Sequence, residues 1–262
     1  KYRNKIIIIC ADGSLFYLLE HNIIPDLVVT LDPHKTRIVR WFGDKNLTKK
    51  NIKKDDYFKK QEIDIKFRNE IKANKKILQL TNKFGRKLKI AACTSSSYNV
   101  VKRIVEIKSQ IYWWNPLVDN PDNNSSITRK LWNLNKLPCI NTGGTVGTVS
   151  WLIAATQFKI DTIVLVGMDF GYHNDIQFNE TQTYYELFDY VGPDIDFKKY
   201  FPFTEFPIDG NLYYTDPTYY WYKKNFLEII DKVPNVRTFN CTDGGTLVED
   251  KIFLVTLNDF LS

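Results

Sequence analysis

The chain has 262 residues, of which 44% are hydrophobic and 25% charged, and it carries a net charge of +6. This composition excludes a disordered chain, and the length suffices for one large domain with a real core. No apolar run approaches the ~20 residues of a bilayer span, and Cys10, Cys93, Cys139 and Cys241 lack zinc-site spacing, so a reducing, cytoplasmic setting is expected.

The run Lys5–Cys10 is continuously apolar beyond its first residue, as a fully buried parallel strand should be. Ala11-Asp-Gly-Ser14 makes a turn, Ser14 is placed to cap a short helix Leu15–His21, and Pro25 precedes a second strand, Leu27–Leu31. Asp12 and Asp32 then follow adjacent strand ends, the edge of an open parallel sheet where ligands bind. Residues 34–75 are charged and helix-like, with one apolar stripe (Ile63, Ile65, Phe67, Ile71). Residues 35–89 hold 19 Lys/Arg against 6 Asp/Glu, while the remainder holds 17 against 24. Such a segment attracts phosphate, nucleic acid or an acidic membrane surface, or is simply a solvated lysine-rich face. It has no RNA-binding aromatic signature, so no specific nucleic-acid partner is expected.

Ile77–Leu80 and Leu88–Ala92 read as strands, and Cys93-Thr-Ser-Ser-Ser97 as a polar turn into a helix, Tyr98–Lys108. Strand Ile111–Trp114 leads to a turn-rich loop, Asn115–Ser126, expected to be mobile, and to a helix at Ile127–Leu134. Cys139-Ile140 enters the turn Asn141-Thr-Gly-Gly-Thr145, followed by the apolar helix Val146–Phe158 and strand Thr162–Val166. Residues 174–216 form an aromatic, turn-rich insertion or lid within what reads as a single domain. Pro217 suits the first turn of a helix running to Asp231. Val236–Asn240 is a last strand and Leu254–Leu261 a closing helix. Strands alternating with helices predict a Rossmann-like, three-layer α/β fold with a mostly parallel sheet.

A helix start preceded by small residues offers free N–H groups to phosphate, so Thr142, Gly143, Gly144 and Thr145 are candidate nucleotide-binding residues together with Asp12 and Asp32. The turn is neither G-x-G-x-x-G nor a Walker A loop, and glycines needed only for tight packing explain it nearly as well. Gly167-Met-Asp169 ends the next strand, where a carboxylate can bind magnesium, position a hydroxyl or act as base. His173 follows four residues later, in a loop, as a candidate ligand or proton-transfer group. His21 reads as structural, and His34 could reach the strand-end edge. The insertion's tyrosines, Tyr213 and Tyr214 among them, either stack on a base or sugar or pin the loop to the body.

Three segments resemble one family. Ala11-Asp-Gly-Ser14 with Ile24-Pro-Asp-Leu-Val-Val-Thr-Leu-Asp32, Thr142-Gly-Gly-Thr-Val-Gly147 with Ile163-Val-Leu-Val-Gly-Met-Asp169, and Thr238-Phe-Asn-Cys-Thr-Asp-Gly-Gly245 occur in the order of the domain shared by MptE-like 6-hydroxymethylpterin pyrophosphokinases and bacterial motility accessory factors. The middle segment is also similar to bacterial sialyltransferases that use a cytidine-monophosphate sugar. That resemblance implies Thr142, Gly143 and Gly144 at the donor phosphate or ribose, with Asp169 nearby. The family's opening Gly-x-Gly-Pro-Ser-Leu is expected before Lys1, so the chain reads as N-terminally truncated. The histidine base of the sialyltransferases has no counterpart in Asn211–Pro217, which leaves His173, Asp169 or Asp216 for that role.

The expected function is a nucleotide-binding transferase acting from a nucleotide-activated sugar onto a small-molecule or protein acceptor. The alternatives are a pyrophosphokinase, with magnesium at Asp32 or Asp169 and diphosphate coming from ATP, and a non-catalytic ligand-binding domain.

Overall fold

The computed structural model describes residues 2–54, 70–181, 183–192 and 196–262, and the chain divides into two units, Lys1–Ser150 and Trp151–Ser262. In the first, β1 (Ile9–Ala11), β2 (Leu27–Thr30), β3 (Lys89–Cys93), β4 (Gln110–Pro116) and β5 (Cys139–Ile140) form one parallel sheet in that order. Every crossover therefore steps the same way, and right-handed crossovers in one direction bring their helices to one face. Helix α1 (Leu15–Glu20), a 3-10 turn (Ile38–Phe42), α2 (Lys49–Lys54), α3 (Glu70–Phe84) and α4 (Tyr98–Glu106) lie in these connections. Cys10, Val28, Ile90 and Ile111 stand in register across four strands. They pack with Leu15, Leu19, Ile38, Phe42, Phe84, Val100 and Ile104 in one apolar core. All four residues of β2 are buried, as an interior parallel strand requires.

Several elements differ from expectation. Pairing of the first strand covers Ile9–Ala11 alone, and Ile6 and Ile7 are 44% and 48% exposed. The chain before it is held by Asp26, whose carboxylate accepts the Ile8 N–H (2.8 Å) and the Arg3 guanidinium (2.9 and 3.0 Å). Ser14 makes no side-chain cap bond. Ile77–Leu80 lies inside α3, because Asn74, Ile77, Thr81 and Phe84 recur at helical spacing and are all buried; a four-residue apolar run cannot distinguish the two periods. Of the apolar stripe, Ile63, Ile65 and Phe67 fall outside the described residues. The loop Asn115–Ser126 is tied down by Asp119, which accepts Ser126 Oγ (2.7 Å), Ile127 N–H (2.7 Å) and Thr128 N–H (3.1 Å) at the start of α5 (Ile127–Asn135). Those bonds hold its carboxyl well below the usual carboxylate range.

Helix α6 (Val146–Thr156) runs across the division between the units. In the second unit β6 (Thr162–Leu165) belongs to a parallel sheet, while β7 (Tyr172–His173), β8 (Phe203–Glu205) and β9 (Leu212–Tyr214) make a small antiparallel one with β9 central. Helices α7 (Tyr184–Val191) and α8 (Pro217–Asp231) follow, with β10 (Arg237–Asn240) between β6 and β11 (Phe253–Leu254). The closing helix is shorter than expected: α9 (Leu257–Leu261) starts after Thr256, whose hydroxyl accepts the Asp259 N–H, and Leu254 is in β11. The insertion is organised around its own aromatic core of Phe178, Phe201 and Tyr214. Trp151 Nε1 donates to Thr238 Oγ1 of β10 (3.0 Å), fixing α6's second half on the sheet.

The first unit's helical layer meets at a buried cation. Arg103 of α4 donates to Phe42 O (2.9 Å), Thr81 Oγ1 (2.8 Å) and Asn82 Oδ1 (2.8 Å) while 3% exposed. Arg103→Met, which removes one of the two donors to the buried Phe42 O and the donor to Thr81 Oγ1, should cost about 1–3 kcal/mol in urea unfolding. A change of under about 0.5 kcal/mol would show that the node contributes nothing net.

Candidate functional site

In the first unit the strand ends converge as the sheet order dictates. Asp12, one residue past β1, is 4% exposed; Oδ2 accepts Thr30 Oγ1 (2.7 Å) and Oδ1 accepts the Gly13 N–H (2.8 Å). Burial pushes its carboxyl up to about 6, with the Asp32 charge adding and the Thr30 and Gly13 bonds and Arg37 opposing. Asp32 is half-buried and accepts the His34 N–H (2.8 Å). His34 Nδ1 in turn accepts the Arg37 N–H (3.2 Å), which leaves its other ring nitrogen to carry the proton when neutral. Ser95 Oγ donates to Leu31 O (2.7 Å) and Asn99 Nδ2 to Lys35 O (2.9 Å), tying the loops after β2 and β3 together. Asp32 is thus the more accessible of the two carboxylates, and Asp12 the buried one.

The glycine turn is more occupied than its composition implies. Gly143 N–H donates to Asn141 Oδ1 (3.0 Å), Gly144 N–H to Thr142 Oγ1 (3.3 Å), and Thr145 Oγ1 accepts the Thr148 N–H (3.0 Å). Both glycines have positive φ, 56° and 91°, so the turn needs them for backbone conformation. What it offers an anion is the Thr142 hydroxyl proton and the first helical amides, of Val146 and Gly147, which have no intrahelical acceptor.

In the second unit Asp169, His173 and Tyr213 share one neighbourhood. His173 and Tyr213 are cross-strand partners of β7 and β9 with ring centroids 5.3 Å apart. Tyr213 Oη donates to Asp209 (3.1 Å), and burial followed by the Asp209, Asp169 and Asp243 charges raises its pKa. Solvent reaches Asp169, yet the surrounding protein pushes its carboxyl up as well. His173 is in β7 rather than a loop; its Nδ1 accepts the Asp175 N–H (3.3 Å) with the Asp175 carboxylate 3.4 Å away.

The backbone of this group is clamped by the segment after β10. Thr242 Oγ1 accepts the amides of Gly167 (3.0 Å) and Met168 (3.2 Å), and Thr246 N–H donates to Asp169 O (2.8 Å). Lys223 of α8, 8% exposed, donates to Thr246 O (3.0 Å) and pairs with Glu249 (3.2 Å). Gly245 has φ of +107°, and a Cβ there would lie 2.5 Å from Asp169 O.

Two residues singled out from sequence are engaged elsewhere. Asp216 is fully buried and caps α8, accepting the Tyr219 N–H (2.7 Å) and the Thr183 hydroxyl. Tyr214 is a core residue whose hydroxyl donates to Ile176 O (3.0 Å). Among the described residues no group of three or more His, Cys, Asp or Glu side chains could hold a metal, so Asp32 and Asp169 have no such set around them. Sequence reasoning passed over Thr30, Arg37, Lys223 and Thr246. Lys223 had a readable signal: it lies on the helical stripe of Phe226, Leu227 and Ile230, all buried, where a cation needs a partner.

Comparison with known proteins adds the following. The family model described as "6-hydroxymethylpterin diphosphokinase MptE-like" matches residues 1–175. No curated protein matches. Among solved structures, that of the MAf glycosyltransferase from Magnetospirillum magneticum AMB-1 is similar with a TM-score of 0.56 at 14% identity, covering 97% of this chain and 30% of that one. The likeness is one of fold, and this chain spans about a third of that protein's length.

Two substitutions test the geometry. Asp12 holds its proton more tightly folded than unfolded, so its contribution to stability is full below about pH 4 and is lost as pH rises through about 6. Asp12→Asn should therefore raise stability at pH 7.5 by about 1–3 kcal/mol, with the gain vanishing near pH 4; a gain that is constant with pH would contradict a buried titrating carboxyl. Gly245→Ala should cost about 2–4 kcal/mol in thermal or urea unfolding, from the clash with Asp169 and the backbone strain together.

Proposed function

The chain belongs to the 6-hydroxymethylpterin diphosphokinase MptE-like family, and from that premise we propose that it is a nucleotide-binding transferase of glycosyltransferase type using a cytidine-monophosphate-activated sugar. The observation that carries this reading is the parallel sheet that sets Asp12 and Asp32 at adjacent strand ends, where open α/β sheets bind nucleotides. The fold likeness to a MAf glycosyltransferase supports it, because it extends over nearly the whole chain, past residue 175 where the family match stops.

Each group has a role suited to its chemistry. Asp32 accepts from ribose hydroxyls, with His34 beside it in the same turn. Thr142 and the open amides of Val146 and Gly147 suit the donor phosphate, Gly143 and Gly144 shape that turn, and Thr145 caps the helix behind it. Taken by itself, the second unit offers Asp169 as a group suited to take a hydroxyl proton, with His173 as the second candidate; a carboxyl raised by its surroundings is a stronger base than a free one. In a transfer of this type the acceptor oxygen bonds to the anomeric carbon as the bond from that carbon to the phosphate oxygen breaks, and the nucleoside monophosphate leaves. Tyr213, its ring packed beside His173, shields that region from water. Asp216 and Tyr214 serve the fold.

A second reading is favoured by the same carboxylate pair and the family description: diphosphate transfer from ATP to a pterin hydroxymethyl group, with magnesium at Asp32.

Isothermal titration of the protein with CMP, UMP, AMP and ATP separates the two. The transferase reading expects CMP to bind best and Asp32→Asn to weaken it about tenfold. Failure of every cytidine and uridine nucleotide to bind would sink it, and magnesium-dependent AMP release with a hydroxymethylpterin would establish the second reading instead.

A further inference from the structure

The part of the lysine-rich segment from residue 70 onward has no part in the site just described. Around the α3 helix axis, Lys72, Lys75, Lys76 and Lys83 fall on one side, and Asn74, Ile77, Thr81 and Phe84 are buried on the other. The chain continues through Arg86, Lys87 and Lys89, all exposed. Lys76 pairs with Glu20. Among the described residues no carboxylate pairs with Lys72, Lys75, Arg86 or Lys87. No large apolar side chain is exposed between residues 70 and 89. Lys87 and Lys89 sit where β3 begins, and Asp12 and Asp32 lie where β1 and β2 end, so this part of the basic face is at the opposite edge of the sheet from the candidate site.

We propose that the outer face of α3 and the turn after it form a docking surface for an anionic membrane, held by electrostatics without insertion. Charge complementarity carries the choice of occupant. A planar lipid surface asks only for a density of cations, and four to eight Lys/Arg on one amphipathic helix face is the pattern that meets it. Nucleic acid is served less well: the face has one arginine for bidentate phosphate contacts and no exposed aromatic ring for stacking, and Asn82 is engaged by Arg103. Among the described residues of this face no large apolar group is exposed, so attachment through it is electrostatic, reversible and salt-sensitive. Docking through this face leaves the strand-end site open, which suits a transferase whose acceptor is borne on a lipid; that last point rests on the proposed function, while the surface itself does not.

The test is co-sedimentation of the full chain with vesicles of phosphatidylcholine alone or with roughly 30% phosphatidylglycerol, at about 50 mM and about 500 mM salt. Binding is expected to the anionic vesicles only, and to fall steeply at the higher salt. Lys75→Glu/Lys83→Glu/Lys87→Glu should lower partitioning by well over a hundredfold, because losing three cations alone accounts for about fivefold each and the three new carboxylates repel the surface. The matching Lys→Gln triple should show a smaller loss in the same direction, and both should keep the wild-type urea midpoint and CMP affinity. Equal binding to neutral vesicles, no binding to anionic ones, or full binding by the folded triple variants would each overturn the proposal. So would tighter binding to duplex DNA than to vesicles at equal phosphate. Because CMP affinity is read separately, its absence would count against the proposed function and not against the surface.

Discussion

One carbonyl sets the terms for the first unit. The 3-10 turn Ile38–Phe42 ends inside the helical layer, where Phe42 O cannot reach water. A buried acceptor left without a donor costs about 1–3 kcal/mol, and here two donors come to it, the Arg103 guanidinium and the Thr81 hydroxyl. These side chains belong to α4 and α3, so satisfying one backbone atom fixes the turn and both helices on one face of the sheet. Burial pulls the Arg103 pKa down while Glu106 opposes that, and the guanidinium stays charged. With that layer in place on one side, the strand order is free to present its C-terminal ends as an accessible edge.

That edge explains the unequal character of the two carboxyls the sequence points to. Asp12 sits deep because β1 ends against Thr30 of β2, and its charge is expensive there. Asp32 lies two residues past the end of β2, in a turn that uses its carboxylate to hold the His34 amide. Burial thus separates the two: Asp12 is enclosed by protein, and Asp32 keeps part of its surface in solvent. The same division recurs in the second unit. Asp216 is consumed as a helix cap, whereas Asp169 has its backbone clamped by Thr246 and its carboxyl open to solvent.

The glycine turn before α6 shows how far a motif can carry. Its small residues suit phosphate, but Asn141 and Thr142 already accept the glycine amides, and positive φ accounts for both glycines. A turn that satisfies its own amides is rigid before any ligand arrives, which lowers the ordering cost of binding. Its capacity for anions then comes from the Thr142 hydroxyl and the helix start, fewer donors than composition alone suggests.

By itself, the sequence determined the α/β class, the strand-helix alternation, most helix positions and the family, because hydrophobic period and turn chemistry are local and each is readable over about 5–15 residues. It also placed Asp12, Asp32 and Asp169 after strand ends, but took His173 for a loop residue where the structure has it in β7. It misread Ile77–Leu80, where four residues fit either period, and the extent of β1, since pairing depends on whether a neighbour lies alongside. Only the tertiary structure decided that Asp216 is buried as the cap of α8 and Tyr214 in the insertion's core, that Tyr213 gathers Asp169, Asp209 and His173 about it, and that Thr246 and Lys223 clamp the Asp169 loop. Most of those outcomes turn on contacts between residues far apart in the chain, such as Thr183 with Asp216, His173 with Tyr213 and Thr246 with Asp169, and nothing local encodes which carboxylate will be buried against an amide and which will stay open to solvent.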